Sequence, residues 1–440
     1  KAVIMAGGKG TRISSITTDI PKAMMSIVDT PIIEHQINCL KKSGIDELYV
    51  IIGHLGNVIK NYLKDGKDFG IKINYLEETT PLGTAGALYY LKEQLQEDFI
   101  FLFGDVFLSI DFNRMIQYHR VKNSDATLFV HPNIHPYDSV LVENDENDRI
   151  LGIDSKRVAR DYDYKNNVNA GIFIFSPKIF DYIKEPIKTD LENNVIIPMI
   201  EDGCNMFTYK STEYAKDMGT PERYYAVNDD YQSGLVESRN LSNKQKCIFL
   251  DRDGTINEYM GFLIRKEDLK LIPGVVEAIK KINESEYLCI VVTNQPVIAR
   301  GEVTFEQLDD IHKRLQTLLG NEGVYVDDIY YCPHHPDKGF EGEIPELKFD
   351  CTCRKPNTGM IEQAAEKYNI DVENSWIIGD STLDIMLGKN ANMNSILVGT
   401  GQAGLDNKYD VEPTETAQDL NEAVDKIMLR RKYNVKKEKI

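Results

Sequence analysis

The sequence has no apolar run approaching the ~20 residues that would span a bilayer, and it has no basic excess. Its 51 lysines and arginines stand against 69 aspartates and glutamates, a formal net charge of −18. The first absence leaves no candidate membrane span. The second disfavours broad binding to nucleic acid or an anionic membrane, so any phosphate-bearing ligand must be held by local cations and metal ions. Cysteine is also scarce, with seven in 440 residues. Cys39, Cys204, Cys247 and Cys289 stand singly among apolar neighbours, as buried small hydrophobes do, which leaves no disulfide framework. The segment Ala2–Ala6 opens directly on a strand pattern, with no basic region and no cleavage site, and a cytoplasmic location is expected. No internal repeat is present. What remains, 42% hydrophobic and 27% charged residues, is the composition of a soluble globular chain with room for two or three domains.

The chain is organised around a stretch in its middle, Cys247-Ile248-Phe249-Leu250-Asp251-Arg252-Asp253-Gly254-Thr255. An apolar run bounded by turn residues reads as a buried strand, and its two aspartates then emerge at the carboxyl end, where open α/β sheets place their sites. Side chains so close and so acidic repel each other unless a cation or a shared proton lies between them. Everything before this stretch reads as a separate domain. There the opening strand runs into Gly7-Gly8-Lys9-Gly10-Thr11-Arg12, apolar Ile33, Ile37 and Leu40 recur at helical spacing, and a strand at 48–52, a helix near 57–64, a strand near 71–76, a helix near 84–95 and a strand at 99–103 follow. This alternation predicts a parallel sheet covered by helices. The glycine-rich turn lets backbone N–H groups approach phosphate oxygens. Its spacing is neither a dinucleotide fingerprint nor a Walker loop, which argues against a plain dehydrogenase or ATPase.

Further motifs follow in order: Pro21-Lys22, Leu82-Gly83-Thr84-Ala85-Gly86-Ala87, Phe103-Gly104-Asp105, Asn169-Ala170-Gly171 with Glu192, and Asp217-Met218-Gly219-Thr220-Pro221. With the first glycine loop they resemble the sugar-phosphate nucleotidyltransferases, over essentially residues 1 to 230. The resemblance implies in-line attack of a sugar 1-phosphate on the α-phosphorus of a nucleoside triphosphate, with release of pyrophosphate. It implies that Asp105 and Asp217 hold Mg²⁺, that Arg12 and Lys22 stabilise the transferring phosphate, and that Gly7, Gly8, Gly10, Thr11, Gly83, Thr84 and Gly86 bind the nucleotide. Asn169, Gly171, Lys156 and Glu192 would bind the sugar. The family's Glu-Lys pair is replaced here by Ser155-Lys156, and its Pro-Lys-Pro-Leu by Pro-Lys-Ala-Met-Met. His54, His119, His131 and His135 match nothing in the family and read as structural or surface residues.

From Val227 to Lys246 the chain turns polar, which predicts an exposed linker at 237–245 between a domain over 1–236 and a second over 246–432, with a basic tail at 433–440. In the second domain a helix is expected from Pro273. A buried strand, Tyr287–Val292, ends in Thr293-Asn294. A capping pattern, Thr304 with Gln307, opens a helix with an apolar stripe at Leu308, Ile311, Leu315 and Leu318. The strand Trp376–Ile378 ends in Gly379-Asp380-Ser381-Thr382-Leu383-Asp384. Cys332-Pro333-His334 and Cys351-Thr352-Cys353 together offer three thiolates and one imidazole, the ligand set of a closed tetrahedral structural zinc. His334 is preferred to His335.

Asp251-x-Asp253-Gly-Thr, Thr293, Lys355 and Gly379-Asp380 with Asp384 resemble the four ordered motifs of the haloacid dehalogenase superfamily. The resemblance implies that Asp251 is a nucleophile forming an aspartyl-phosphate and that Asp253 is the acid and base. It implies phosphate contacts from Thr293, Asn294, Arg354 and Lys355, and Mg²⁺ at Asp251, Asp253 and Asp380, with Asp384 in support. The intervals between motifs are too short for an inserted helical cap, so the site should be open. With the cysteine loop, the second domain is similar to the D-glycero-D-manno-heptose 1,7-bisphosphate 7-phosphatases and the related histidinol phosphatases.

The expected protein is α/β, with two doubly wound Rossmann-like domains, the second a capless haloacid dehalogenase-like fold with a zinc loop. The combination implies removal of the 7-phosphate from a heptose 1,7-bisphosphate and coupling of the heptose 1-phosphate to a nucleotide. GTP is preferred to CTP, UTP, dTTP and ATP. A different sugar, a histidinol-phosphatase-like activity, or one domain serving as a sensor is the alternative. The expected partners are small molecules, neither nucleic acid nor membrane, and the sequence is compatible with a homo-oligomer.

Overall fold

The computed structural model describes residues 1–8, 19–155 and 160–438, with side chains to residue 430. No helix among the described residues is long and apolar enough to cross a membrane. The chain divides into two units. One comprises Lys1–His131, Ser139–Arg157 and Asn167–Ser242; the other comprises Pro132–Asp138, Val158–Asn166 and Asn243–Ile440.

In the first unit the strands are β1 (Ala2–Met5), β2 (Ser26–Ile27), β3 (Thr30–Pro31), β4 (Glu47–Ile52), β5 (Lys72–Glu77), β6 (Phe99–Phe103), β7 (Val106–Ser109), β8 (Ala126–His131), β9 (Leu141–Asn144), β10 (Ile150–Asp154), β11 (Val168–Phe175), β12 (Met206–Lys210) and β13 (Tyr214–Asp217). The main sheet runs β10-β9-β11-β6-β1-β4-β5, with β8 beside β11 and β12 beyond it. Strands β6, β1, β4 and β5 are parallel, in register Ala2 to Leu48 and Ile100. Of these β6, β1 and β4, buried on both faces, carry nearly continuous apolar runs rather than an alternating pattern. The strand order reverses between β1 and β6. A crevice therefore opens beyond their carboxyl ends, where doubly wound sheets bind ligands. The helix Ile32–Lys42 buries Ile33, Ile37 and Leu40 as the spacing predicts, and its buried Gln36 donates to the carbonyls of Phe103 and Val106, tying the helix to the strand that leads to Asp105.

The helix expected over 84–95 is a 3-10 turn at Gly86–Leu91. The N–H groups of Thr84 and Ala85 both donate to the carbonyl of Thr189, and the turn then closes with an i to i+3 bond, Leu88 N–H to the Ala85 carbonyl. The expected exposed linker is also corrected. Arg239, Asn240, Leu241 and Gln245 are buried, because their polarity is satisfied inside the protein: Asn240 donates to Ser109 Oγ, and the Leu241 N–H donates to the carboxylate of Glu213.

In the second unit β14 (Lys246–Leu250), β15 (Tyr287–Asn294), β16 (Asp328–Cys332), β17 (Trp376–Gly379), β18 (Asn394–Val398) and β19 (Glu415–Ala417) form one parallel sheet in the order β16-β15-β14-β17-β18-β19. The reversal falls between β14 and β17, so the ends carrying Asp251 and Asp380 flank the switch point. The helix expected from Pro273 spans Val275–Asn283, and the helix Phe305–Asn321 opens with the full capping box of Thr304 and Gln307. On that helix Leu308, Ile311 and Leu315 are buried, joined by Leu319, while Leu318 packs at the margin of the core. The excursions 132–138 and 158–166 belong to this unit. Tyr164 N–H donates to Thr317 Oγ1, Asn166 N–H to Gln316 Oε1, and Asp163 pairs with Lys266 and Arg314. The final helix, Leu420–Glu438, continues through most of the expected tail.

Candidate active sites and metal centre

In the first unit Gly7 and Gly8 follow β1, while Gly10, Thr11, Arg12 and Lys156 lie outside the described residues. Asp105 follows β6, and its carboxylate pairs with Lys22 Nζ at 3.0 Å. The antiparallel pair β7–β13 sets Asp217 opposite Val106, and Met218 N–H donates to the Asp105 carbonyl, so the two proposed metal carboxylates come from adjoining backbone. Asp217 accepts from Gly219 N–H and from Arg223. Gly83 has φ +80°, and a Cβ there would lie 2.4 Å from the Thr189 carbonyl oxygen, so only glycine fits. Thr84 Oγ1 accepts from Leu191 N–H, beside Glu192. Glu192 in turn accepts from Asn169 Nδ2 at 3.2 Å, and Asn169 Oδ1 accepts from Gly171 N–H. The loop motif and the three described sugar-side residues are therefore joined through one run of backbone.

In the second unit Lys355 is the hub. Its Nζ lies 2.7 Å from Asp251 Oδ1 and 2.7 Å from Asp384 Oδ1, and it also donates to the Val292 carbonyl. Burial would lower the Lys355 ammonium, but the two carboxylates outweigh it and hold it above its ordinary value. Asp251, Asp380 and Asp384 bring carboxylate oxygens within 4.8 Å of one another, all buried. Burial, then the neighbouring carboxylates, pushes Asp251 up to about 7 and Asp380 up to about 8, against the pull of Lys355. A single ammonium among three buried carboxylates leaves the group short of positive charge, and the hard oxygen donors fit Mg²⁺.

Asp253 stands apart from that carboxylate group. Its side chain accepts from Arg252, Asn257 Nδ2 and Gln295 Nε2. Burial raises the Asp253 carboxyl, yet Arg252 and the two amides overcome it and hold it below the usual range. Asp253, expected among the Mg²⁺ ligands, is outside the group of three carboxylates, and Asp384, expected in support, is in it.

Cys332, His334, Cys351 and Cys353 gather their ligand atoms within 4.8 Å of one another. The sulfurs are 3.3–3.4 Å apart, far from a disulfide bond, and His334 Nδ1 is 3.3 Å from Cys353 Sγ. Tetrahedral zinc with Zn–S bonds of ~2.3 Å would set its ligands roughly 3.8 Å apart, so the cluster needs to open only slightly to hold the ion. His335 turns away and accepts from Asp337 N–H. The loop continues directly into the site: Arg354 N–H donates to Cys351 Sγ, Arg354 Nη1 to the His334 carbonyl, and Lys355 exchanges backbone bonds with the Asn294 side chain.

A nucleotidyl transferase model matches residues 1–234, and a HAD-hydrolase-like model matches residues 352–423. The D-glycero-alpha-D-manno-heptose-1,7-bisphosphate 7-phosphatase of Photorhabdus laumondii is 42% identical over 176 residues, covering 40% of this chain and 91% of that one. The corresponding phosphatase of Thermosynechococcus vestitus is 37% identical over 186 residues, covering 41% and 93%. The chain belongs to the nucleotidyl transferase and heptose bisphosphate phosphatase families. Among solved structures, the D,D-heptose 1,7-bisphosphate phosphatase of B. bronchiseptica with magnesium and phosphate is 30% identical, covers 42% of this chain and 99% of that one, and gives a TM-score of 0.38.

Several residues of the phosphatase unit carry no motif of their own. Arg252, fully buried, donates from Nη1 to Nε2 of His312, which burial and that same guanidinium push down to about 3, so the imidazole is neutral and accepts. Gln295 Nε2 bridges Thr293 Oγ1 and Asp253 Oδ2. The loop after β18 clamps the Asp251–Gly254 turn: Thr400 Oγ1 donates to the Gly254 carbonyl, and Gln402 N–H to Asp380 Oδ2. A Cβ on Gly401 would fall 2.0 Å from that carboxylate oxygen, which explains the glycine. An apolar-run search finds Asp251, but only the fold brings residues 252, 295, 312 and 400–402 to it.

Proposed function

We propose that the phosphatase unit removes the 7-phosphate from D-glycero-D-manno-heptose 1,7-bisphosphate and that the transferase unit joins the resulting heptose 1-phosphate to GMP from GTP, releasing pyrophosphate. The observation that carries this reading is the pairing itself: the relatives of the second half are named for a reaction whose product is a sugar 1-phosphate, the acceptor that the first half's family requires.

In the phosphatase unit Asp251 attacks the 7-phosphorus. The bond from phosphorus to the C7 oxygen breaks, and Asp253 gives that oxygen its proton. Asp253, as the carboxylate that Arg252 favours, then takes a proton from the water that cleaves the acyl phosphate. Lys355 and Thr293 hold the transferring phosphoryl group, and Gln295 fixes Asp253 relative to Thr293. Mg²⁺ held by Asp251 and Asp380, with Asp384 in support, would cancel the charge that keeps a carboxylate from a phosphate dianion. Zn²⁺ held by Cys332, His334, Cys351 and Cys353 would pin the loop that presents Arg354 and Lys355. In the transferase unit Lys22 and Arg12 orient the triphosphate, Asp105 and Asp217 would hold a second Mg²⁺, and Asn169 and Glu192 seat the sugar.

Incubation with heptose 1,7-bisphosphate, Mg²⁺ and each triphosphate in turn tests the reading. GDP-heptose, identified by mass, is expected with GTP. Phosphate release from histidinol phosphate as fast as from the bisphosphate overturns the heptose assignment.

A further inference from the structure

Arg252 stands between two aspartates of the phosphatase unit, and its charge goes to the one that is not in the carboxylate group. Asp251, Asp380 and Asp384 are short of positive charge, yet the guanidinium, fully buried, folds onto the next residue in the chain. Its Nε and Nη2 lie 3.2 and 3.0 Å from Asp253 Oδ1, and Nη2 lies 2.9 Å from Oδ2. Nη1, on the other edge of the planar fork, donates to His312 Nε2 at 3.2 Å. Among the described residues that nitrogen has no other hydrogen-bond partner. His312 is itself buried on the helix Phe305–Asn321. Its ring packs against that of Tyr331, with centroids 5.5 Å apart, and its carbonyl accepts from Gln316 Nε2 one turn on.

A guanidinium keeps its charge, so it is held in place by the acceptors around it. An imidazole that took up a proton would repel it. Burial and the guanidinium itself keep His312 neutral, so Nε2 accepts and the ring proton is on Nδ1. Without that acceptor a buried N–H is left unpaired and the fork is gripped at one edge only. What the fork grips is Asp253, whose remaining accepting positions are filled by Asn257 Nδ2 and Gln295 Nε2. In the first step of phosphate removal Asp251 bonds to phosphorus, and the bond from phosphorus to the C7 oxygen breaks with its electron pair on oxygen. That oxygen takes the Asp253 proton, and the carboxylate left behind is the form that a guanidinium fork stabilises. We propose that His312 is the positioning residue for this proton transfer, acting through Arg252 to aim Asp253 at the leaving oxygen. This rests on the reading of Asp253 as the acid, and it goes beyond it by naming the residue that sets the acid in place.

Single-turnover rates of the full chain with Mg²⁺ on two substrates test this. One is heptose 1,7-bisphosphate, whose C7 oxygen needs a proton to leave; the other is p-nitrophenyl phosphate, whose phenolate leaves without one. His312→Ala is expected to slow the first turnover of the bisphosphate roughly 10- to 100-fold, within what acid catalysis supplies, and that of the aryl phosphate by about threefold at most. His312→Gln, whose carbonyl can accept the Arg252 N–H, is expected to recover most of the loss. Should the alanine variant not fold, His312→Phe keeps a ring, removes the acceptor and carries the same expectation. An equal loss on both substrates, or no loss on either, overturns the proposal, as does a glutamine variant no faster than the alanine or phenylalanine one. Asp253→Asn separates the proposal from the reading beneath it. A loss confined to the bisphosphate in Asp253→Asn, with none in the His312 variants, overturns the proposal alone. A loss in Asp253→Asn that is equal on both substrates removes the acid reading and the proposal with it. Histidinol phosphate, also the ester of a primary alcohol, can replace the bisphosphate, so failure of the heptose assignment leaves the comparison decisive.

Discussion

Both units set carboxylates at the carboxyl ends of central strands, and they surround them in opposite ways. In the phosphatase unit the side chains of Asp251, Lys355 and Asp384 are 12%, 4% and 0% exposed and already joined to one another. In the transferase unit Asp105 and Lys22 are 33% and 14% exposed, and Asp217 and Arg223 are 46% and 28% exposed. The difference fits the chemistry proposed for each unit. A carboxylate that must itself attack phosphorus has to be stripped of water and aimed in advance. A site that only brings two anionic substrates together can leave its charges wet until those substrates arrive. Ion pairs as exposed as that of Asp217 contribute little to stability, so perturbing them should change activity and leave the fold alone, whereas the buried group should respond in both.

The largest effect expected is on chemistry. Asp251→Asn should lower phosphate release from the bisphosphate by roughly 10³-fold or more, with nucleotide transfer to supplied heptose 1-phosphate unchanged. A parallel loss in both assays would mean that the two sites are not independent. Lys355→Met should lose phosphatase activity and also destabilise the phosphatase unit by about 3–5 kcal/mol, because it leaves Asp251 and Asp384 buried without their ammonium. Denaturant unfolding measures this, and Lys22→Met in the transferase unit should show no comparable shift. Equal destabilisation by the two substitutions would break the contrast between a dry and a wet site. Next in size, a zinc chelator should lower the melting temperature of the phosphatase unit by roughly 10 °C while the transferase transition stays in place. A cluster that the fold holds together without metal would show no change.

The features that were legible in the sequence are those whose signal is local. A buried parallel strand is a continuous apolar run, and the residue that ends it sits at the mouth of the sheet, so the positions of Asp251, Asp380 and Asp105 could be read directly from the chain. The capping box at Thr304 and the three-thiolate, one-imidazole spacing are local in the same sense. The partnerships made across the sheet were not legible. Arg252 is next to Asp251 in sequence, but its meaning depends on His312 sixty positions later. Gly401 has no purpose until Gly254 and Asp380 are beside it. Polar composition misled at 237–245, because asparagine and backbone donors there are satisfied by buried Ser109 and Glu213 instead of by water. The helix expected over 84–95 is a short 3-10 turn, and its entry is bonded to Thr189 from another part of the chain.

Glu213 sharpens the comparison from the other side. It is a buried carboxylate of the transferase unit, yet its donors are all neutral: Asp111 and Leu241 N–H on Oε1, and the Ser211 hydroxyl on Oε2. Without a counterpart to Lys355, burial wins and pushes its carboxyl up to about 7 from an ordinary value of 4.5. The folded chain therefore holds this proton more tightly than the unfolded chain. The associated stability is complete below pH 4.5 and is lost as the pH rises through about 7. Glu213→Gln keeps the geometry, since its carbonyl can accept both backbone N–H groups and its amide can donate to Ser211. The variant should equal the parent at pH 4 and exceed it by up to roughly 3 kcal/mol above pH 7, as measured by denaturant unfolding of the transferase unit across that range. A variant less stable than the parent at pH 8 would mean that Glu213 is charged in the fold and compensated there, and burial would then no longer separate the two units.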